Sequence, residues 1–173
     1  MRFAYADPPY IGQAKRHYGD QPLCAEVDHA ELIDRMCREY DAWALSLSSP
    51  SLKTILPMCP DGVRVMAWVK PFAVFRPNVN PAFAWEPVIV SGGRKRDRKE
   101  PTVRDWVMEN ITMRRGVHGA KPAGFCRWLF DVMGAVSGDD FTDLFPGSGA
   151  VGMAWSAYCV RQVHNVGLFG RIQ

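Results

Sequence analysis

Apolar and polar positions along this chain follow two rhythms, and the switches between them lay out the elements. Met1 to Ala6 is a short run rich in apolar and aromatic residues, which predicts a buried strand. From His29 to Tyr40, Leu32, Ile33 and Met36 fall on one face at helical spacing and predict an amphipathic helix. Asp41 to Leu47 reads as the next strand, so strand–helix–strand implies a parallel sheet. Ser48 to Pro57 follows as a short helix opened by Ser49-Pro50. Val63 to Val69 is a third strand, ended by Lys70-Pro71. Residues 72–82, rich in proline and asparagine, form a loop, and Ala84 to Val90 is again a strand. The short connection predicts antiparallel pairing of these two strands, since a parallel crossover needs more chain. Pro122 to Ala135 predicts a helix with Phe125, Leu129, Phe130, Val132 and Met133 on its apolar face. A strand through Asp143, a glycine-bearing turn and a helix from Gly149 to Gln162 come next, and His164 to Phe169 reads as a last short strand.

Composition narrows the class. At 173 residues, with 47% hydrophobic and 23% charged positions, the chain is expected to form one globular domain with a full core. No apolar run reaches membrane-spanning length, and the N-terminus reads as a strand rather than a leader, so the expected location is cytoplasmic. Cys24, Cys37, Cys59, Cys126 and Cys159 are scattered without a C-x-x-C pair, which argues for reduced packing thiols and no metal site. A net charge of +3 is compatible with a nucleic-acid partner but does not establish one.

Two stretches carry candidate chemistry. Asp7-Pro8-Pro9-Tyr10 follows the first strand, at the end of an α/β sheet where ligands bind. The prolines remove two N–H donors and leave bare carbonyls beside a carboxylate. Asp7 and the Pro8 carbonyl can each accept one hydrogen of a planar amino group, such as the exocyclic nitrogen of adenine. They would draw it toward tetrahedral geometry and stabilise the positive charge that appears as it attacks an electrophile. Tyr10 can stack on the base. An ordinary proline turn explains these four residues equally well when they are taken alone. The second stretch is Asp143-Leu144-Phe145-Pro146-Gly147-Ser148-Gly149, a strand–turn–helix junction whose glycines permit close approach of a ligand.

Together these motifs resemble the S-adenosylmethionine (SAM)-dependent amino-methyltransferases that act on adenine N6 or cytosine N4 in DNA. Having Asp-Pro-Pro-Tyr first and the glycine turn late is similar to the circularly permuted beta class. Lys121-Pro122 is a third, partial match, since Val117-His118 stands where the family has His-Pro. The resemblance implies a Rossmann-like α/β fold, mostly parallel with one antiparallel strand. It divides the chain 1–173 into a catalytic half (1–91), a basic loop or rudimentary recognition region (92–120) and a cofactor half (121–173). It implies Asp7, Pro8, Pro9 and Tyr10 as catalytic residues. Asp143, Phe145, Gly147, Ser148, Gly149, Lys121 and Pro122 would bind SAM, with the Lys121 ammonium near the methionine carboxylate. Asp rather than Ser at position 7 favours adenine. The alternatives are an RNA adenine methyltransferase and an inactive nucleic-acid-binding remnant.

Two further expectations follow. Arg94, Lys95, Arg96, Arg114 and Arg115, with Lys15 and Arg16 in the loop after Tyr10, form a basic set suited to phosphates, and Trp106 or Met113 could touch bases. Where the family places an acidic residue on the cofactor ribose, this sequence has Phe169 and Gly170. That departure implies weak SAM binding, or a site completed by a second subunit in a homodimer.

Overall fold

The computed structural model describes residues 1–9, 27–72, 77–112 and 120–169, with backbone alone for 163–169. Strand β1 (Arg2–Ala6) is buried from Phe3 onward and β2 (Ala42–Ser46) along its whole length. Neither has a polar face, the pattern of parallel strands covered on both sides. Between them, helix α1 (His29–Glu39) starts at Asp28, whose side chain accepts hydrogen bonds from the N–H groups of Ala30 and Glu31. It buries Leu32, Ile33 and Met36 as its spacing predicts. The expected helix after β2 is three tight turns: a 3₁₀ turn at Ser49–Ser51, a short α2 (Leu52–Ile55) and a second 3₁₀ turn at Leu56–Met58.

β3 (Arg64–Val69) and β4 (Trp85–Gly92) pair antiparallel, as the connection length requires. β4 also pairs antiparallel with β2, so it lies inside the sheet. With β5 (Trp106–Met108) and β6 (Asp140–Asp143) the order is β5-β3-β4-β2-β1-β6, and every other pairing is parallel. Helix α3 (Ala123–Met133) packs Phe125, Cys126, Trp128, Leu129, Phe130 and Met133 onto one face. It stops at Gly134, which takes a left-handed φ of 68° as C-cap. Each fully buried aromatic or leucine here contributes roughly 1.5–3 kcal/mol. α1 and the tight turns cover the other face over Ala4, Trp43, Leu45 and Ile89.

Two expectations need correction. His164 to Phe169 is not a strand: helix α4 (Ala150–Phe169) runs through it. Six apolar-rich residues fit either period, and no proline interrupts the chain to stop the helix. β5 lies where only a basic loop was expected, because three residues at a sheet edge are too few to show a period.

Strand direction fixes what gathers where. The carboxyl ends of β1, β2, β3 and β6 point one way, and antiparallel β4 begins at that same end. Asp7, Asp143, Lys70 and Glu86 therefore share one rim of the sheet.

Candidate functional site

Asp7 leaves the end of β1, and Asp143 ends β6 beside it, in register with Tyr5. The Leu144 N–H donates to the Tyr5 carbonyl at 2.9 Å, tying the glycine-bearing turn to β1. Gly147 and Gly149 hold φ of 45° and 73°, values that disfavour side chains, and α4 starts directly after them. A cleft of about 400 Å³ opens here, lined by Tyr5, Asp7, Pro9, Lys121, Asp143, the turn from Leu144 to Ser148, Ala150 and Val151.

Behind Asp7 lies a buried chain of charges. The Lys121 ammonium stands 3.1 Å from Asp7 Oδ2 and 2.5 Å from Glu86 Oε1, and Lys70 reaches Glu86 Oε2 at 2.8 Å. The Trp68 ring faces both lysines, 4.5 Å from the Lys70 nitrogen and 5.2 Å from that of Lys121. Burial raises the Asp7 pKa and nearby Glu86 adds to the rise, with Lys121 opposing. Burial also works to raise Glu86, but its two lysines outweigh it and hold the group below its ordinary value. Tyr5, hydrogen-bonded to Ser46 Oγ at 2.8 Å, is raised by burial and then by Asp7 and Glu86.

Asp143 differs from its neighbours. Its Oδ1 accepts the Phe145 N–H at 3.2 Å, while its Oδ2 is buried with no hydrogen-bond partner. Burial raises its pKa, with the Phe145 N–H and Lys121 opposing. A buried acceptor left unmet is uncommon in a folded protein. Burial pushes the Cys126 thiol up to about 12 and Cys59 to about 11, which makes these two thiols unreactive.

The remaining expected residues divide. Pro8 is buried and Pro9 lines the cleft. Pro122 caps α3, and its carbonyl accepts the Cys126 N–H, so it positions Lys121 and does not line the cleft. Gly149 closes the turn by donating to the Pro146 carbonyl at 2.6 Å. The Lys121 ammonium, expected near a methionine carboxylate, is held between Asp7 and Glu86. Arg94 and Arg96 are at the other end of the sheet. Arg94 grips both oxygens of Asp139, at 2.6 and 2.8 Å, and the Gly134 carbonyl. Arg96 donates to the carbonyls of Pro101 and Asp131, and Lys95 between them is exposed. The five residues of β1 set this cluster roughly 15 Å from Asp7. Tyr10, Lys15, Arg16, Met113, Arg114, Arg115, Val117-His118 and Gly170 lie outside the described residues, as does the Phe169 side chain.

The sequence reading took Ala84 to Val90 only as a strand and passed over Glu86. The signal was there: on β4 it shares a face with Val88 and Val90, so a lone carboxylate points into an apolar core.

A mostly parallel sheet with one antiparallel strand, and a cleft between an acidic strand end and a glycine turn, define a Rossmann-like α/β architecture. That is the fold class expected of a SAM-dependent methyltransferase. Among solved structures the chain is similar to M1.HpyAVI in complex with SAM, with a TM-score of 0.64 at 16% identity over 92% of this chain and 78% of that one. It is also similar to a second structure of M1.HpyAVI, with a TM-score of 0.57 at 13% identity over 92% and 76%. No family model and no curated protein matches the sequence. At these identities the likeness is one of fold.

Proposed function

We propose that this protein transfers a methyl group from SAM to the N6 amino group of adenine in DNA, acting on a base turned out of the helix. The observation that carries this reading is the meeting of Asp7 and the unpartnered Asp143 oxygen in one cleft beside the glycine turn. The motif resemblance supplies adenine and DNA, with a beta-class permuted order, and the fold shared with M1.HpyAVI supports SAM as the cofactor.

The donor set fits that cofactor. Asp143 Oδ2 would accept from the methionine ammonium, and the backbone of Gly147 and Ser148 would border the ligand, with Phe145 offering apolar contact. When bound, SAM supplies a methyl group on a positively charged sulfur. The protein's own contribution is electrostatic. The Asp7 carboxylate and the Pro8 carbonyl accept the two amino hydrogens, orient the nitrogen lone pair and stabilise the positive charge that develops on it. Asp7 acts in its ionised form, and the Lys121 ammonium opposes the tendency of burial to protonate it.

Labelled SAM incubated with DNA and with RNA, followed by digestion and identification of the modified base, tests the reading. N6-methyladenine in DNA is the expected product. Transfer to RNA alone would replace the substrate, and no transfer to either would overturn the activity.

A further inference from the structure

We propose that Glu86, acting through Lys121, is the positioning residue that holds the Asp7 carboxylate for the reaction. This rests on the reading of Asp7 as the acceptor of the amino hydrogens.

The geometry gives the chain a direction. Glu86 engages an ammonium with each oxygen, at 2.5 Å to Lys121 and 2.8 Å to Lys70, and its side chain is 6% exposed. Lys121, equally buried, is thus anchored on the side away from the cleft. Asp7 is the looser member, 3.1 Å away and 24% exposed where the cleft opens. Stability alone does not account for the chain, because apolar residues of similar volume usually serve a core as well as a buried ion pair. Phe125 and Trp68 face the Lys121 ammonium and keep water away, so each charge acts strongly on its neighbours. Among the described residues, the groups that face Asp7 are Lys121 before α3, Glu86 on β4, Asp143 on β6 and the Tyr5 hydroxyl on β1. Lys70 after β3 and Cys126 on α3 stand one step further out.

The chain makes opposite demands on two substitutions. Lys121→Met removes the cation that opposes burial, so Asp7 should titrate at higher pH. Glu86→Gln removes the neighbouring anion and leaves both lysines, so Asp7 should titrate at lower pH. The double variant should fall between them. Those opposite shifts follow from charge alone. What a positioning role adds is a loss of kcat in Glu86→Gln at pH values where Asp7 is fully ionised, with the fold and SAM binding kept. A purely structural role would not give that loss.

The test is carbon-13 NMR of the full chain labelled at aspartate carboxyls, with Asp7 assigned by the signal lost in Asp7→Asn, run beside pH profiles of methyl transfer. Expected are opposite shifts of the Asp7 titration and matching shifts of the acid limb of kcat. On the plateau above both titrations, kcat should fall by about 10-fold for Glu86→Gln and about 10²-fold for Lys121→Met, where a change of pKa alone would leave kcat unchanged. A Glu86→Gln plateau equal to that of the wild type overturns the proposal. Lys121→Arg, which keeps the charge, should stay near the wild-type titration, and Glu86→Gln carries the test alone if Lys121→Met does not fold. An unmoved Asp7 in Glu86→Gln, or shifts of one sign in both variants, overturns the proposal. Opposite shifts in a protein that transfers no methyl group would leave the link standing and remove the reaction. Methyl transfer with an unmoved Asp7 would do the reverse.

Discussion

Asp143→Asn separates a residue kept for a ligand from one kept for the fold. In the free protein Asp143 Oδ2 is buried and unmet, while Oδ1 accepts the Phe145 N–H. The amide keeps that second bond and replaces the unmet oxygen with a neutral NH₂. That NH₂ is as unmet as the oxygen it replaces, so the gain comes only from removing a charge that burial penalises. The free variant should therefore be as stable as the wild type or up to ~1 kcal/mol more stable. The sign agrees with the raised pKa of Asp143. A carboxyl that titrates higher when folded weakens the fold as pH rises from the unfolded value through the folded one, and the amide lacks that loss. A gain of ~1 kcal/mol is a rise of about 2–4 °C in Tm for a chain of this size.

Affinity should move the other way. A hydrogen bond between a charged donor and acceptor contributes about 1.5–3 kcal/mol, so losing it should weaken SAM binding by about 10- to 150-fold. Calorimetric titration with SAM, beside thermal unfolding with and without it, reads both quantities. The reasoning fails if the variant binds SAM as the wild type does. It fails equally if the free variant loses more than ~2 kcal/mol, which would make Asp143 a structural residue.

Asp7→Ala should lower kcat by at least ~10²-fold while SAM affinity stays within a few-fold, measured by methyl transfer and calorimetry; near-normal turnover would place the chemistry elsewhere. In the wild type, burial raises Asp7, so the acid limb of kcat should lie above the ordinary carboxylate range, and a limb near pH 4 would contradict that rise. Arg94→Ala should cost about 1–2 kcal/mol in denaturant unfolding at pH 7 while leaving nucleic-acid affinity and its salt slope unchanged. Asp139 shows how that cost depends on pH: although burial opposes it, Arg94, the N-terminal ammonium and the Val136 N–H hold its pKa low. The stability it contributes is present above the unfolded carboxylate value and lost as pH falls through the folded one, so the difference between the proteins should shrink in acid.

Local chemistry was the legible part of this chain. The Asp7-Pro8-Pro9 corner and the turn at Gly147 and Gly149 are set by residues adjacent in sequence, so turn rules reach them directly. The apolar face of α1 and the antiparallel β3–β4 pair were equally readable, one from period and one from loop length. Glu86 and Lys70 were not, because their meaning depends on each other and on Lys121, which is 35 residues from Glu86. A carboxylate at an inward strand position does announce that a cation must meet it, but it does not say which one. The end of α4 failed for the opposite reason, since the residues from His164 onward are locally consistent with two structures.

The basic stretch is the instructive case, because strand direction already constrained it. Reading Ala84 to Val90 as antiparallel means that the chain leaves that strand at the end of the sheet away from Asp7. The arginines that follow are therefore carried away from the cleft, whatever their charge. There Arg94 and Arg96 meet the carbonyl end of α3 and Asp139, which use their donors inside the fold. Parallel β5 then returns the chain, and Glu109 joins the cleft side, its N–H donating to Val69 and its carbonyl accepting from Trp68. Charge composition treats this stretch as one patch, whereas topology puts Arg94 and Arg96 at one end of the sheet and Glu109 at the other. Arg94 and Arg96 thus stand away from the cleft, while Arg114 and Arg115 lie outside the described residues.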